Sequence, residues 1–401
     1  MIAEKRRARA HLDIPLIAIV YALSVFGILA VAVGTYSTSS TSDLPLLNHI
    51  MESTYARRQA LYVAISPFVL AALIAVPLNF YRRYCRLLYW LATGLITVVW
   101  VFNRATGVKQ WLDIFLDFTI QPTEFAKLAI ILMLARDMSS REKPMATIQD
   151  RIRTMGVVAI PAVVILFSGE TGSFFVIAFL FVFMLWFAKV DLKVLLVMFL
   201  IVALAVGAVY AYAVATGSTD YRLVRILSFI NPEEYSTGAY QQTHSKIAIG
   251  SGGVYGRGAF VDDSWYQLNY VPADWTDFIF ATIGEAWGFV GCMGVLIAYL
   301  LMIMRMLYLA RYTRDRFGML IIIGVAGMFT FHIVENIGMT TGLLPITGIP
   351  LPFLSYGGSN MITNMAGIGL VLNVTKNRSL SGSFETPQSD VSIMRYTTNY
   401  R

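Results

Sequence analysis

Long uncharged runs alternate with short polar connectors along most of this 401-residue chain. Ten runs stand out, over residues 13–36, 58–79, 87–103, 121–136, 154–169, 171–188, 191–215, 276–304, 317–340 and 359–375. Most approach the roughly 20 apolar residues that an α-helix needs to cross about 30 Å of hydrocarbon. The fourth and fifth are short, as a tilted or partly lipid-facing helix would be. A transmembrane barrel would instead show segments of about ten residues in strict alternation, and the chain has none. The pattern predicts an all-α polytopic membrane protein of ten transmembrane helices. It forms one continuous domain over residues 1–375, followed by a polar cytoplasmic tail, 376–401, expected to be disordered. The first run, Ile14 to Val33, is long enough to span and lacks a small-residue cleavage site, so it reads as a helix and not as a signal peptide.

Composition agrees: 57% of residues are hydrophobic and 14% charged, too apolar for a soluble domain of this length. Charge then sets orientation. With the N-terminus in the cytoplasm, 22 of the 31 Lys and Arg residues fall on cytoplasmic segments and eight on outer ones, which predicts N-in and C-in. The net charge of +7 is therefore anchoring. No basic stripe interleaved with aromatics points to nucleic acid. Cys85 and Cys292 fall in or beside spans and read as small buried hydrophobes. The four histidines form no pair at metal-ligand spacing.

Two outer segments exceed what a connector needs, about 104–120 and about 216–275, the second with seven glycines in sixty residues. In the first, Lys109 and Trp111 precede a span; a cation beside an aromatic suits an anionic or sugar-bearing ligand, as it suits an interfacial Trp with a snorkelling Lys. Within that span Glu124 and Lys127, three apart, can pair as a buried structural ion pair. Glu170 sits in a tight outer turn between Gly169 and Gly172, where it could face a cavity or cap the next helix. In the second segment Arg222 and Arg225 share one face of an amphipathic stretch that suits the interface. "HSKIAIGSGGVYGRGAF" follows, with Lys246, Arg257 and glycines that permit close backbone approach to a ligand. In "PADWTDFIF", Asp274 and Asp277 stand at the mouth of a span, and Glu285 follows Asp277 at i+8, on roughly one helical face. Capping explains one acid; an ionisable group further inside a span is a functional candidate by default.

"QPTEFAK", "RILSFINPEE", "IAIGSGGVYGRG", "TDFIFATIGEAWGFVG" and "NIGMTTGLLPITGIPLPFLSYGGSN" together resemble the SEDS family of bacterial cell-wall proteins, the group of RodA, FtsW and SpoVE. The likeness covers about residues 13–375, and "TGIPLPFLSYGG" looks closer to the elongation type, RodA, than to the division type. The resemblance implies a ten-helix peptidoglycan glycosyltransferase of the bacterial cytoplasmic membrane. Such a protein polymerises lipid II on the outer face beside a class B penicillin-binding protein. It places the catalytic carboxylate on Asp277, the basic-and-Trp segment on Lys109 and Trp111, and the outer turn on Glu170 to Ser173. There are departures: the family commonly writes Pro-Glu-x-His-Thr-Asp where this chain has Pro272-Ala273-Asp274-Trp275-Thr276-Asp277, and Gly-Glu-Glu where it has Gly284-Glu285-Ala286. Asp274 is the nearest replacement for the absent Glu.

On that reading Asp277 takes the proton of an acceptor hydroxyl. Lys109, Arg222, Arg225, Lys246 and Arg257 are the outer-face cations for the leaving pyrophosphate, with Trp111, Glu170, Asp274 and Glu285 as further substrate contacts. A divalent cation, Mg2+ or Mn2+, could add to them. Two rival readings remain open from the sequence: a lipid II transporter, since glycine-broken polytopic helices suit alternating access, and a catalytically weakened scaffold that activates the penicillin-binding protein.

Overall fold

A computed structural model describes residues 12–36, 46–106, 112–115, 118–197, 221–231, 236–268, 270–271 and 273–381, with positions 200, 207 and 211. Six helices are long and apolar enough to cross a membrane: α1 (Ile14–Gly34), α3 (Thr54–Ala75), α4 (Leu78–Thr106), α6 (Ile148–Ser168), α10 (Ile279–Arg311) and α11 (Arg316–Thr341). The apolar α7 (Thr171–Phe187) is shorter, at 17 residues. α5 (Pro122–Ser139) and α12 (Gly358–Ser381) complete the set that coincides with predicted spans. They carry more polar side chains, and these are enclosed: Glu124, Lys127 and Asp137 in α5, Asn360, Asn364 and Asn373 in α12 are all buried. The predicted span 191–215 lies mostly outside the described residues, and its described start, 192–197, is helical. The chain is an all-α polytopic membrane protein.

Boundaries differ from the sequence reading where long basic side chains join helices. α4 begins at Leu78, so Arg82, Arg83 and Arg86, expected in a connector, occupy its first turns. α10 runs on through Arg305 to Arg311. Arg is a good helix former whose aliphatic stem packs along apolar surface while its head reaches water. α12 reaches Ser381, and residues 382–401 of the expected tail lie outside the described residues.

Ion pairs tie helix ends together on the expected cytoplasmic side. Asp13 caps α1, accepting from the Leu16 amide at 3.1 Å, and also pairs with Arg305 of α10 at 2.8 Å. Asp315 caps α11 and pairs with Arg82 of α4 at 2.6 Å. Asp137 of α5 accepts from Arg141 and from Thr154 of α6.

The segment between residues 216 and 275, expected to be loop with one interfacial helix, holds two helices. α8 (Tyr221–Ile230) is the amphipathic stretch that was expected. α9 (Ser236–Ser251) was not expected, because "STGAYQQTHSKIAIGS" has no helical periodicity and mixes its Ala, Gln and Lys with Gly, Ser and Thr. Tertiary contacts hold it: Gln242 donates to the carbonyls of Met339 and Leu344, and Ser245 to that of Thr340, which satisfies the open end of α11. A small antiparallel hairpin, β1 (Leu112–Phe115) with β2 (Phe118–Ile120), precedes α5. The Ser359 hydroxyl anchors it to the start of α12, donating to the Thr119 carbonyl at 2.8 Å and accepting from the Gln121 amide at 3.0 Å. A short α2 (Leu46–Glu52) leads into α3.

The core is buried around α11, which packs against α5, α7, α10 and α12. Close approach depends on small residues, as in membrane helix packing generally. At Gly27 of α1, an added Cβ would stand 2.5 Å from the Phe353 carbonyl oxygen and 2.9 Å from Leu354 Cα, both backbone atoms that cannot swing aside. Gly94 of α4 faces open space. Gly27→Ala is therefore expected to destabilise the detergent-solubilised protein by about 1–3 kcal/mol, read as a lowered Tm, whereas Gly94→Ala leaves Tm within error.

Candidate active site

α10 is broken nine residues after its start. Gly288 takes φ 63° and ψ −158°, outside helical geometry, and the backbone of residues 253–258 enters the gap. The Arg257 amide donates to the Glu285 carbonyl at 2.8 Å and Gly258 to Ala286 at 3.1 Å. Beyond the break, Phe289 and Val290 donate to Gly253 and Val254 at 2.9 and 3.1 Å. Glycine is required on both sides: a Cβ at Gly288 would lie 2.3 Å from the Gly256 nitrogen, and one at Gly256 2.2 Å from the Ala286 oxygen. The glycines of this loop therefore serve helix insertion, and this is where four predicted ligand contacts part company with the cavity described below.

Glu285 is completely buried. Its carboxylate accepts from the amides of Trp265 at 2.8 Å and Tyr266 at 3.4 Å, and pairs with Arg257 at 3.4 Å. Both residues thus clamp the inserted loop, and the expectation that Glu285 shares a ligand-facing side with Asp277 is corrected. The same-face argument assumed an unbroken helix through Asp277, but Asp277 precedes α10. Asp274 is likewise enclosed, at 1% exposure, and neither carboxyl oxygen makes a well-formed hydrogen bond. Burial pushes its pKa well above the usual carboxylate value. It does not replace a carboxylate facing substrate. Lys246 is exposed on α9 with its stem against Gly342, away from the cavity lining.

The Asp277 side chain does not cap α10, whose N-cap is Phe278. It lines a cavity of about 410 Å³ formed by the starts of α5, α7 and α10, by α8, by the middle of α11 and by the loop 347–357. Its segment is fixed on three sides. Ala273, at φ 61°, turns the chain so that its carbonyl accepts from the amides of Thr276 and Phe278. The Asn336 amide group donates to the carbonyls of Asp277 and Ile349, both at 2.7 Å. Ser355 donates to the Thr276 carbonyl at 2.6 Å, and the Tyr356 amide to that of Trp275 at 3.0 Å. At Gly348, an added Cβ would sit 3.3 Å from the Asp277 carboxylate and 3.7 Å from the Arg225 guanidinium, so both groups converge on one glycine. Asp277 keeps part of its surface open to the cavity. Even so, its surroundings are protein, and burial raises its pKa to about 6 against the opposing pull of Arg225.

Glu170 lines the same cavity from the α6–α7 turn, where Gly169 at φ 94° closes α6. It makes no cap bond; Ser173 donates to its carboxylate at 3.1 Å, and burial raises its pKa. On the cavity's inner wall Lys127 donates to Glu124 at 2.8 Å and to His332 Nε2 at 3.0 Å. An ammonium can only donate, so His332 Nδ1 carries the hydrogen, facing the Pro350 carbonyl at 3.3 Å. Beside this chain, Thr347 donates to Glu335.

Of the predicted residues, the structure therefore gathers Asp277, Glu170 and Arg225. Lys109 and Trp111 lie outside the described residues, as does the side chain of Arg222. The Glu124–Lys127 pair, expected as structure, also lines the cavity. His332, Thr347, Tyr356 and Asn360 were not predicted; a histidine three residues before a glutamate inside the span 317–340 was the available signal. Among the described residues no three His, Cys, Asp or Glu side chains are grouped to hold a metal.

The chain matches the FtsW, RodA and SpoVE family, described as cell cycle proteins, over residues 15–380. It is 29% identical over 374 residues to the peptidoglycan glycosyltransferase MrdB of Escherichia coli, covering 93% of this chain and 95% of that one. It is 30% identical over 328 residues to the stage V sporulation protein E of Bacillus subtilis, covering 80% and 87%. Its fold matches a chain in a solved structure of a peptidoglycan synthase complex that coordinates polymerization and crosslinking. The TM-score is 0.73 at 25% identity, over 92% of this chain and 98% of that one. With a described helical core that follows this fold and a match across nearly its whole length, the chain belongs to the FtsW, RodA and SpoVE family.

Proposed function

We propose that this protein is a peptidoglycan glycosyltransferase. It polymerises lipid II on the outer face of the bacterial cytoplasmic membrane, and acts in cell elongation with a class B penicillin-binding protein that crosslinks the product. The observation that carries this reading is the convergence of Asp277 and Arg225 on Gly348, in a cavity of about 410 Å³ at the mouth of a membrane helix. A substrate that is half lipid and half sugar has its reactive bond at that height. The names of the MrdB relative and of the synthase complex support the same activity.

In this mechanism the acceptor sugar hydroxyl attacks the anomeric carbon of the donor. A new C–O bond forms on one face while the bond to the lipid pyrophosphate breaks on the other, which inverts the centre. Asp277, ionised, takes the hydroxyl proton. Arg225 meets the negative charge that develops on the departing pyrophosphate. The Glu124–Lys127–His332 chain fixes the inner wall and supplies donors whose positions do not depend on solvent.

Three outcomes test this. Asp277→Asn keeps the shape and removes the base, so lipid II polymerisation by the purified protein with its partner should fall by about 100- to 10,000-fold. Strands formed at the wild-type rate would remove Asp277 from the chemistry. A base must be unprotonated, and burial holds Asp277 near 6; turnover should therefore rise with pH through about 6 and level off above it. Arg225 lowers the Asp277 pKa against the effect of burial. Arg225→Gln should accordingly lower turnover by roughly 100-fold and also move the acid limb of the pH profile upward, whereas an unmoved limb would separate Arg225 from Asp277.

A further inference from the structure

A second cavity, of about 330 Å³, opens on the outer side next to the first, and the chemistry of Asp277 makes no use of it. Its volume falls in the roughly 300–1,000 Å³ span usual for ligand pockets. Its walls come from three parts of the chain: Tyr36 at the end of α1, Ser53 and Tyr55 at the start of α3, and Tyr266, Gln267 and Trp275 from the segment ahead of α10. The Tyr55 ring stacks on Trp275 with centroids 5.4 Å apart and planes 29° from parallel. It also meets the Tyr356 ring edge-on at 5.1 Å, and Tyr356 lines the Asp277 cavity. The row Trp275–Tyr55–Tyr356 thus joins the two cavities. Trp275 borders one of them, while Asp277, two residues on, lines the other.

The composition of this pocket selects its ligand. Flat aromatic faces accept the C–H-bearing faces of pyranose rings, and hydroxyl and amide groups around them can meet sugar hydroxyls. An acyl chain would want continuous apolar walls, yet Ser53, Thr54, Glu52 and Gln267 interrupt them. A phosphate would want a cation, and the lining residues include Glu52 but no Lys or Arg. Tyr36 and Ser53 are held rigidly: Tyr36 packs edge-on against His49 and Phe260, and Ser53 shares a 2.6 Å hydrogen bond with Thr35. Tyr55 stays 40% exposed, its face available. Trp275 stands where the family pattern commonly has His, so this chain itself supplies the larger aromatic surface.

We infer that this pocket is a saccharide subsite that holds hexosamine units of the growing glycan strand beside the Asp277 cavity. This rests on the polymerase reading above for the identity of the strand, though not for sugar binding as such. The test is direct binding of chitotetraose, a soluble oligomer of N-acetylglucosamine, to the purified full-length protein in detergent, read by ligand-observed NMR and calorimetry. Wild type and Asp277→Asn should bind equally. Tyr55→Ala should bind about tenfold more weakly, the scale of one lost stacking contact, and Tyr55→Phe, which keeps the ring face, as wild type. In the polymerisation assay Tyr55→Ala should yield shorter strands while the first linkage still forms. Absence of binding to wild type, or equal binding to Tyr55→Ala, overturns the subsite and leaves these rings as an interfacial aromatic belt. A Tyr55→Phe loss as large as that of Tyr55→Ala overturns the stacking role. Because Asp277→Asn polymerisation is scored separately, failure of the catalytic reading and failure of the subsite give different results.

Discussion

A backbone amide or carbonyl that leaves its helix within a membrane must find a partner inside the protein, because hydrocarbon supplies none. That requirement organises this molecule. The break in α10 at Gly288 opens carbonyls at Glu285 and Ala286 and amides at Phe289 and Val290, and the loop 253–258 bonds all four. The end of α11 is closed by Gln242 and Ser245 of α9. The carbonyls of Trp275, Thr276 and Asp277 are taken by Tyr356, Ser355 and Asn336. Irregular backbone is thus tolerated only where other protein covers it, and the last of these patches, at Thr276 and Asp277, lines the cavity.

The same constraint accounts for where the charges lie. On the expected cytoplasmic side, Asp13, Asp137 and Asp315 pair with Arg305, Arg153 and Arg82 of neighbouring helices and double as caps or helix ties. Within the bundle, Lys127 is 1% exposed and shared between Glu124 and His332. A buried ammonium left alone would be costly, so the three residues stand or fall together. Asp277 is in a different position: it has protein around it, one guanidinium near it and part of its surface on the cavity. That combination leaves a carboxyl able to change protonation near neutral pH, whereas Asp274, three residues earlier, is fully enclosed and does not line the cavity.

Two acids in one short segment therefore have unlike duties, and Glu285 has a third. All three looked alike in the sequence. Distance along the chain placed Asp277 and Glu285 on one helical face, and the arithmetic was sound for a continuous helix. They are separated because α10 begins only at Ile279, so Asp277 stands ahead of the helix that carries Glu285.

Much of the architecture was readable from the residues alone, because a span is a local property: about twenty apolar letters either are present or are not, and basic connectors orient them. The RodA-like motifs likewise pointed to Asp277 and Glu170 without coordinates, and Arg225 stood out as an outer-face cation on an amphipathic stretch. What only the tertiary structure decided were matters of convergence. α9 has no periodicity to announce it and exists because α11 needs its side chains. His332, Thr347 and Tyr356 sit far from Asp277 in sequence and reach its cavity only through the fold of α11 and the 347–357 loop. Arg257, Lys246 and the glycines of 250–258 looked like ligand contacts, and Arg257 with those glycines instead fills and clamps a broken helix. Local hydrophobicity writes the helices into the sequence, while the demand that every freed polar group be satisfied is met by partners hundreds of residues away, which no local pattern encodes.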